Sequence, residues 1–186
     1  EINAYYDPSA NEICFPAGIL QPPFFDMNAD DAFNYGAIGA VIGHEMTHGF
    51  DDMGRHFDAN GNMRDWWAAD DAAAFEARAD VMRKFFDNIL VAPNTHANGT
   101  FTLGENLADY GGVTIAYTAY KNFGRESDVV QNFTPDMRFF IAYAGVWAGH
   151  IRPEQVIVQT KTNEHSLNRW RVNGILPHID AWYDAF

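Results

Sequence analysis

Three things are scarce in this 186-residue sequence: cysteine, positive charge and long apolar runs. Because Cys14 is the one cysteine, no internal disulfide or cysteine-rich metal site can form, and any metal must be bound by histidine and carboxylate. Lysine and arginine number 12 against 25 acidic residues, a formal net charge of −13, which argues against binding to nucleic acid or an anionic membrane. No apolar run approaches the roughly 18–20 residues that a transmembrane helix requires.

The composition is otherwise that of a folded protein. Apolar residues make up 47% of the chain, which is enough to bury one sizeable core. The sequence begins directly in a strand-like run and ends just after an amphipathic stretch. We therefore expect a single domain over residues 1–186 that is a piece of a longer polypeptide.

The distribution of apolar, glycine and proline residues predicts a mainly helical chain with a small β element. Two strand-like runs, 3–6 and 12–15, flank a turn and predict a β-hairpin. Five helices are predicted at 35–50, 68–88, 105–123, 135–149 and 153–162. Partial alternation predicts a strand at 168–175, and Pro177 is expected to open a final helix. The resulting fold class is α+β.

The most specific chemical pattern is His44-Glu45-Met46-Thr47-His48, inside the predicted helix 35–50. The two histidines are four residues apart, so both imidazoles project from one helix face and can bind one ion. Zinc suits imidazole and carboxylate ligands, and a catalytic zinc keeps one position for water, whose proton Glu45 would take. A chance match on a solvated helix is the alternative, but these groups are costly to bury in an apolar run without a shared cation.

A third ligand is expected from the start of the predicted helix 105–123. Glu105 and Asp109 share a face of that helix. The simplest assignment puts Glu105 on the metal and lets Asp109 accept the free imidazole N–H of a liganding histidine. The alternative is a pair of ordinary carboxylates near a helix N-terminus, where the helix dipole favours them.

With these residues identified, the sequence resembles the catalytic C-terminal region of the neprilysin family of zinc metallopeptidases. The resemblance covers nearly the whole chain and follows the family's order in five blocks: 3–6, 15–25, 43–52, 104–109 and 165–171. It implies a thermolysin-like zinc peptidase core, with the small β element packed on the active-site helix. We expect a bacterial member of the family.

The resemblance implies roles for the metal-site residues. His44, His48 and Glu105 would bind one zinc ion, and Glu45 would polarise the attacking water. Asp109 would support His44. The family's aspartate is sometimes described as a proton donor, but a residue one turn behind the ligand is poorly placed to reach the scissile nitrogen.

Four further residues acquire roles only through the resemblance. His165 matches a histidine that stabilises the tetrahedral intermediate, and Arg171 matches an arginine that holds a substrate carbonyl. Asn3 and Ala4 match a strand that pairs with extended substrate. On the sequence alone, these residues are a surface histidine, an ordinary strand cation and an edge strand.

The resemblance also implies an apolar pocket for the side chain just after the cleaved bond. Its residues would be Ile19, Phe24, Val41, Val146 and Trp147. Core packing is the competing explanation for each of them.

The implied function is hydrolysis of short peptides, on the amino side of hydrophobic residues, by zinc-bound water. The alternative is a zinc-containing module that binds peptide without cutting it, or a segment inactive without the family's N-terminal helical part. Both that part and the family's short C-terminal tail are expected outside these residues. The expected partners are peptides and the N-terminal part. The expected location is extracellular or periplasmic, with membrane anchoring through an N-terminal segment, and the cytoplasm is the alternative.

Overall fold

The computed structural model of the chain describes residues 2–125 and 128–186. The helices are α1 (Asp31–Asn34), α2 (Ala40–His48), α3 (Ala69–Asp87), α4 (Leu103–Phe123), α5 (Pro135–Val146), α6 (Pro153–Thr162), α7 (Asn168–Asn173) and α8 (Asp180–Ala185). Two antiparallel strand pairs accompany them: β1 (Tyr5–Asp7) with β2 (Glu12–Cys14), and β3 (Leu90–Ala92) with β4 (Thr95–His96). Within the described residues, no helix is both long and apolar enough to cross a membrane.

The helical run that ends in α2 carries both histidines of the site. It starts at α1, where the Asp30 side chain accepts a hydrogen bond from the Phe33 amide and caps the first turn. A π-helical turn at Tyr35–Gly39 joins α1 to α2. The extra residue of a π turn changes which side chains face the interior. The predicted helix 35–50 is therefore present, with an earlier start and an end at His48.

Helix α4 crosses α2 at very short range because glycine meets glycine at the contact. A Cβ on Gly43 would lie 2.7 Å from the carbonyl oxygen of Gly112, closer than packed atoms allow. A Cβ on Gly112 would lie 2.8 Å from the backbone nitrogen of His44. The crossing places the first turns of α4, which contain Glu105 and Asp109, beside the last turns of α2.

The main core lies beside this crossing and combines α3, α4, α5 and the C-terminal segment. Its fully buried members include Phe86, Val113, Phe139 and Ile175. A smaller cluster joins the N-terminal segment to the active-site helical run; its buried members are Ala4, Ile19 and Ile38. The predicted packing of the β-hairpin region on the active-site helix is thus present.

The predicted strand at 168–175 is wrong, because Asn168–Asn173 forms α7. Arg171 and Ile175 are both buried, and a separation of four residues fits one face of a helix and one face of a strand equally well. Over so short a segment, partial alternation of apolar and polar residues does not distinguish the period of a strand from that of a helix.

Other boundaries follow the sequence more closely. The helices predicted at 68–88, 105–123 and 153–162 are present with ends shifted by two residues at most. The helix predicted at 135–149 ends at Val146. The final helix starts at Asp180, after a 3-10 turn at Leu176–His178 that contains Pro177.

Replacement of Gly43 by alanine tests the close crossing. We expect Gly43→Ala to lower the free energy of unfolding by about 1–3 kcal/mol, because the added methyl must push α4 away from α2. Gly145→Ala is the matched control, since a Cβ at Gly145 meets nothing within 4 Å. Urea unfolding of the metal-free protein measures both changes, and equal stability of the two variants would contradict the packing argument.

Candidate metal centre and active site

The two histidines of α2 point their Nε2 atoms at each other. His44 is buried, with 7% of its surface exposed, and its Nε2 lies 3.0 Å from the Nε2 of His48. The ring planes are perpendicular, with centroids 4.6 Å apart. The i, i+4 spacing therefore brings both imidazoles to one point, as the sequence predicted.

Each imidazole is held from behind by a carboxylate. His44 Nδ1 lies 2.8 Å from Asp109 Oδ1, and His48 Nδ1 lies 2.7 Å from Asp51 Oδ2. A carboxylate accepts hydrogen bonds, so each Nδ1 carries a proton and each neutral ring has its lone pair on Nε2. Two lone pairs 3.0 Å apart repel each other unless a cation lies between them.

Glu105 reaches the same point from the first turn of α4. Its Oε2 lies 3.3 Å from His44 Nε2, and its Oε1 lies 3.7 Å from His48 Nε2. Oε2 is buried, and it also lies 3.0 Å from the Nε2 of His165. A buried carboxylate that faces ring nitrogens is costly unless a proton or a metal cation lies between them.

The donor atoms fit a zinc ion. Zinc binds nitrogen and oxygen ligands at about 2.0–2.2 Å, so a tetrahedral set has its donor atoms roughly 3.3–3.5 Å apart. The separations of 3.0, 3.3 and 3.7 Å bracket that value. Two imidazoles and a carboxylate are also a ligand set that catalytic zinc sites use, with a fourth position for water.

The local charges favour a cation even without metal. Burial lowers the pKa of His44, but the carboxylates of Asp109 and Glu105 outweigh burial and raise it to about 9. Burial also opposes ionisation of Glu105, yet the imidazoles of His165 and His44 hold its pKa well below the usual range. At neutral pH the metal-free site therefore retains a proton on His44 in the place of a metal ion.

Asp109 lies between His44 and Arg171. It is 3% exposed, and Arg171 donates to both of its oxygens, Nε to Oδ2 and Nη2 to Oδ1, at 2.7 Å each. Burial would raise the pKa of Asp109, but the guanidinium outweighs burial and lowers it. Trp147 stacks on the guanidinium at 3.7 Å, and the Tyr143 hydroxyl donates to the Arg171 carbonyl. Arg171 is thus built into the support of His44.

Glu45 and His165 flank the ligand set on different elements. Glu45 is 5% exposed, and a carboxylate oxygen lies within 4.8 Å of a ring nitrogen of His44 and of His48. Burial raises the pKa of Glu45. His165 has its Nε2 3.0 Å from Glu105 Oε2, while Asn163 Oδ1 lies 3.1 Å from its Nδ1.

The three proposed ligands line one cleft of roughly 570 Å³, together with Glu45, Asp51, Asp109, His165 and Arg171. The residues expected to contact substrate line the same cleft: Asn3, Ala4, Ile19, Phe24, Val41, Val146, Trp147 and Arg171. Asn3 and Ala4 immediately precede β1, so they lie at the end of the hairpin instead of within its paired strand.

A match to the family model "Peptidase family M13" spans residues 3–186. The chain belongs to peptidase family M13. Among curated relatives of this M13 chain, human membrane metallo-endopeptidase-like 1 is 47% identical over 192 residues, covering 100% of this chain and 25% of the relative. Human neprilysin is 41% identical and is covered to 26% of its length. The resemblance to the neprilysin family is thereby confirmed.

Solved M13 structures share the fold. The zinc metalloprotease Zmp1 of Mycobacterium tuberculosis, in complex with an inhibitor, superposes with a TM-score of 0.95 at 43% identity, over 99% of this chain and 29% of that one. PepO from Lactobacillus rhamnosis gives a TM-score of 0.89 at 39% identity, over 100% of this chain and 28% of that one. The mainly helical fold class is confirmed. The chain spans about a quarter of the length of the curated relatives named above.

The sequence alone left Asp51 unassigned. Asp51 is three residues after His48 in the M13 chain, a spacing from which a carboxylate can fold back on a helix's last turn. That spacing could have pointed to Asp51 as the partner of His48, but the adjacent Asp52 fits the same criterion nearly as well. Only the structure shows the turn that directs Asp51, and not Asp52, toward His48.

Zinc binding should depend on pH because His44 must lose its proton to bind metal. With a metal-free pKa of about 9 for His44, the zinc dissociation constant should fall about tenfold per unit of pH between pH 7 and 8.5, with release of about one proton. Competition with a chromophoric chelator at several pH values measures the slope. A constant affinity over this range would contradict a proton on His44 in the metal-free site.

Proposed function

We propose that this chain carries the catalytic centre of a zinc-dependent endopeptidase that cleaves short peptides on the amino side of hydrophobic residues. His44, His48 and Glu105 would hold one zinc ion. The proposal depends chiefly on the convergence of two imidazole Nε2 atoms and a buried carboxylate in an open cleft. Membership of family M13 supports it.

The proposed reaction is attack of water on a peptide carbonyl. A zinc ion bound there acts as a Lewis acid and lowers the pKa of a water molecule. Glu45 takes the proton from the attacking water and delivers it to the leaving amide nitrogen, so that the products are a carboxylic acid and an amine. Burial raises the pKa of Glu45, and a base whose pKa lies closer to neutrality both accepts and returns a proton more readily.

His165 is proposed to stabilise the negative charge that develops on the substrate oxygen. Its Nε2 faces the ligand set, 3.0 Å from Glu105 Oε2, and its Nδ1–H donates to Asn163 Oδ1, so Nε2 is a donor when the ring is an imidazolium. A donor that is already oriented toward a developing oxyanion needs no reorganisation during the reaction, which is where such groups contribute most.

Asp109 and Arg171 are proposed to act as a pair behind His44. Asp109 would orient the imidazole, and the guanidinium would keep Asp109 ionised in its buried position. We also propose that Arg171 holds a substrate carbonyl, since it lines the cleft beside Trp147.

The rest of the cleft supports binding of an extended peptide. Asn3 and Ala4 would pair with the substrate backbone, a mode in which main-chain bonds supply affinity and side-chain pockets supply selectivity. Five apolar residues are proposed to form the pocket after the cleaved bond: Ile19, Phe24, Val41, Val146 and Trp147.

The chain is proposed to act as a single catalytic unit within a longer protein. The relatives are about four times as long as the part that matches, and a further N-terminal part of the same polypeptide is the proposed partner that limits access to the cleft. An extracellular or periplasmic location is proposed, in keeping with a relative described as a membrane metallo-endopeptidase.

Glu45→Gln separates catalysis from metal binding. We expect zinc content equal to that of the wild type and a fall in kcat of about 10²–10⁴-fold, because the amide cannot take the proton from water. Elemental analysis and cleavage of a quenched fluorescent peptide measure the two effects in the full-length protein, with Glu105→Gln as the control that loses zinc. Undiminished turnover in Glu45→Gln would refute the assigned base. A wild type that binds zinc and peptide without cleavage would favour the non-catalytic alternative.

Val41→Phe tests the apolar pocket. Val41 lines the cleft beside Phe24, so the larger side chain should lower kcat/KM for phenylalanine after the cleaved bond about tenfold more than for alanine there. Ile42→Phe is the matched control, because Ile42 is 38% exposed and is not among the cleft residues. Identical selectivity in Val41→Phe and the wild type would remove Val41 from the pocket.

A further inference from the structure

Asp51 contacts the second histidine of the metal centre in the same way that Asp109 contacts the first. Its Oδ2 lies 2.7 Å from His48 Nδ1, and Asp51 as a whole is 6% exposed. A carboxylate at this distance accepts the Nδ1 proton. His48 Nε2 is then the unprotonated nitrogen, and it is the atom that faces His44 and Glu105.

A tight turn after α2 fixes the other oxygen of Asp51. Oδ1 accepts hydrogen bonds from the amides of Met53, at 2.9 Å, and Gly54, at 2.6 Å. The turn folds so closely on α2 that a Cβ on Gly54 would collide with the carbonyl oxygen of His48. The carboxylate therefore has a fixed position relative to the helix that carries His48.

The start of α4 packs against Asp51 and its neighbour. A Cβ on Gly104 would lie 2.9 Å from Asp52 Oδ1 and 3.2 Å from Asp51 Oδ2, so the residue before Glu105 is in close contact with both carboxylates. Asp51 thus lies between the elements that supply His48 and Glu105. A shift of either element would change its contact with His48.

The two aspartates are stabilised by different means. Asp109 is neutralised by a buried guanidinium that shares its Oδ1 with His44, whereas Asp51 is stabilised by two backbone amides on the oxygen that His48 does not use. In Asp51, one oxygen accepts hydrogen bonds from the turn and the other accepts one from His48. A residue needed only to terminate the helix would not require the second oxygen.

We propose that Asp51 is a positioning residue for His48: it fixes the ring and keeps the proton on Nδ1, so that Nε2 is available to metal. This proposal rests on the proposed zinc site. Asparagine at position 51 has the same shape but one acceptor fewer. Its amide NH₂ must face either the His48 Nδ1–H or the two backbone N–H groups, and each arrangement opposes donor to donor.

Zinc affinity tests the proposal without a measurement of turnover. In the full-length protein, Asp51→Asn should weaken zinc binding about 10–100-fold, as loss of a carboxylate behind a liganding histidine does. Asp65→Asn is the control: it removes an acidic side chain from an exposed position that does not line the cleft. Its affinity should stay near that of the wild type, measured by competition with a chromophoric chelator.

Equal zinc affinity in Asp51→Asn and the wild type would overturn the role of Asp51 and leave the zinc site intact. A wild type that binds no zinc would overturn the zinc site and this inference together. A second measurement does not depend on the variant folding. With ¹⁵N-labelled histidine in the metal-free wild type, at a pH where His48 is neutral, the spectrum should show the Nδ1–H tautomer. The Nε2–H tautomer would contradict the proposal.

Discussion

The close crossing of α2 and α4 is the constraint on which the centre depends. Gly43 and Gly112 let the two backbones approach to a distance that a side chain at either position would prevent. Helix α2 supplies two imidazoles and α4 supplies Glu105 and Asp109, so the glycine contact sets the separation between the proposed ligands. Interiors packed at crystal-like density transmit a small shift at such a contact to the groups beside it.

The second feature is an excess of buried negative charge around the two imidazoles. Asp51, Asp109, Glu45 and Glu105 are all buried or nearly so, and Arg171 compensates Asp109 directly. The remaining acceptors stabilise a cation at the meeting point, and in the metal-free protein that cation is a proton on His44, whose pKa is about 9. Proton and metal compete for the same nitrogen of His44, so the affinity for metal depends on pH.

The sequence was sufficient for the features that depend on local spacing. The i, i+4 histidines, the carboxylates on one face of α4 and the long helices all follow from helical periodicity. The sequence was insufficient where a turn or a tertiary contact determines which side chain reaches the site. Asp51 is selected over Asp52 by the turn at Gly54, and the segment 168–173 is helical although its partial alternation predicted a strand. The ion pair between Arg171 and Asp109, 62 residues apart, has no local signal.

The central claim is that His44, His48 and Glu105 form one metal site. A crystal structure of the zinc-loaded protein, with the metal located by anomalous scattering at the zinc edge, tests it most directly. We expect one zinc ion, bound by the Nε2 atoms of His44 and His48 and by the carboxylate of Glu105. His165 also lies close to Glu105 and His44. A zinc ion bound by His165 in place of His48 would show that His48 is not a ligand.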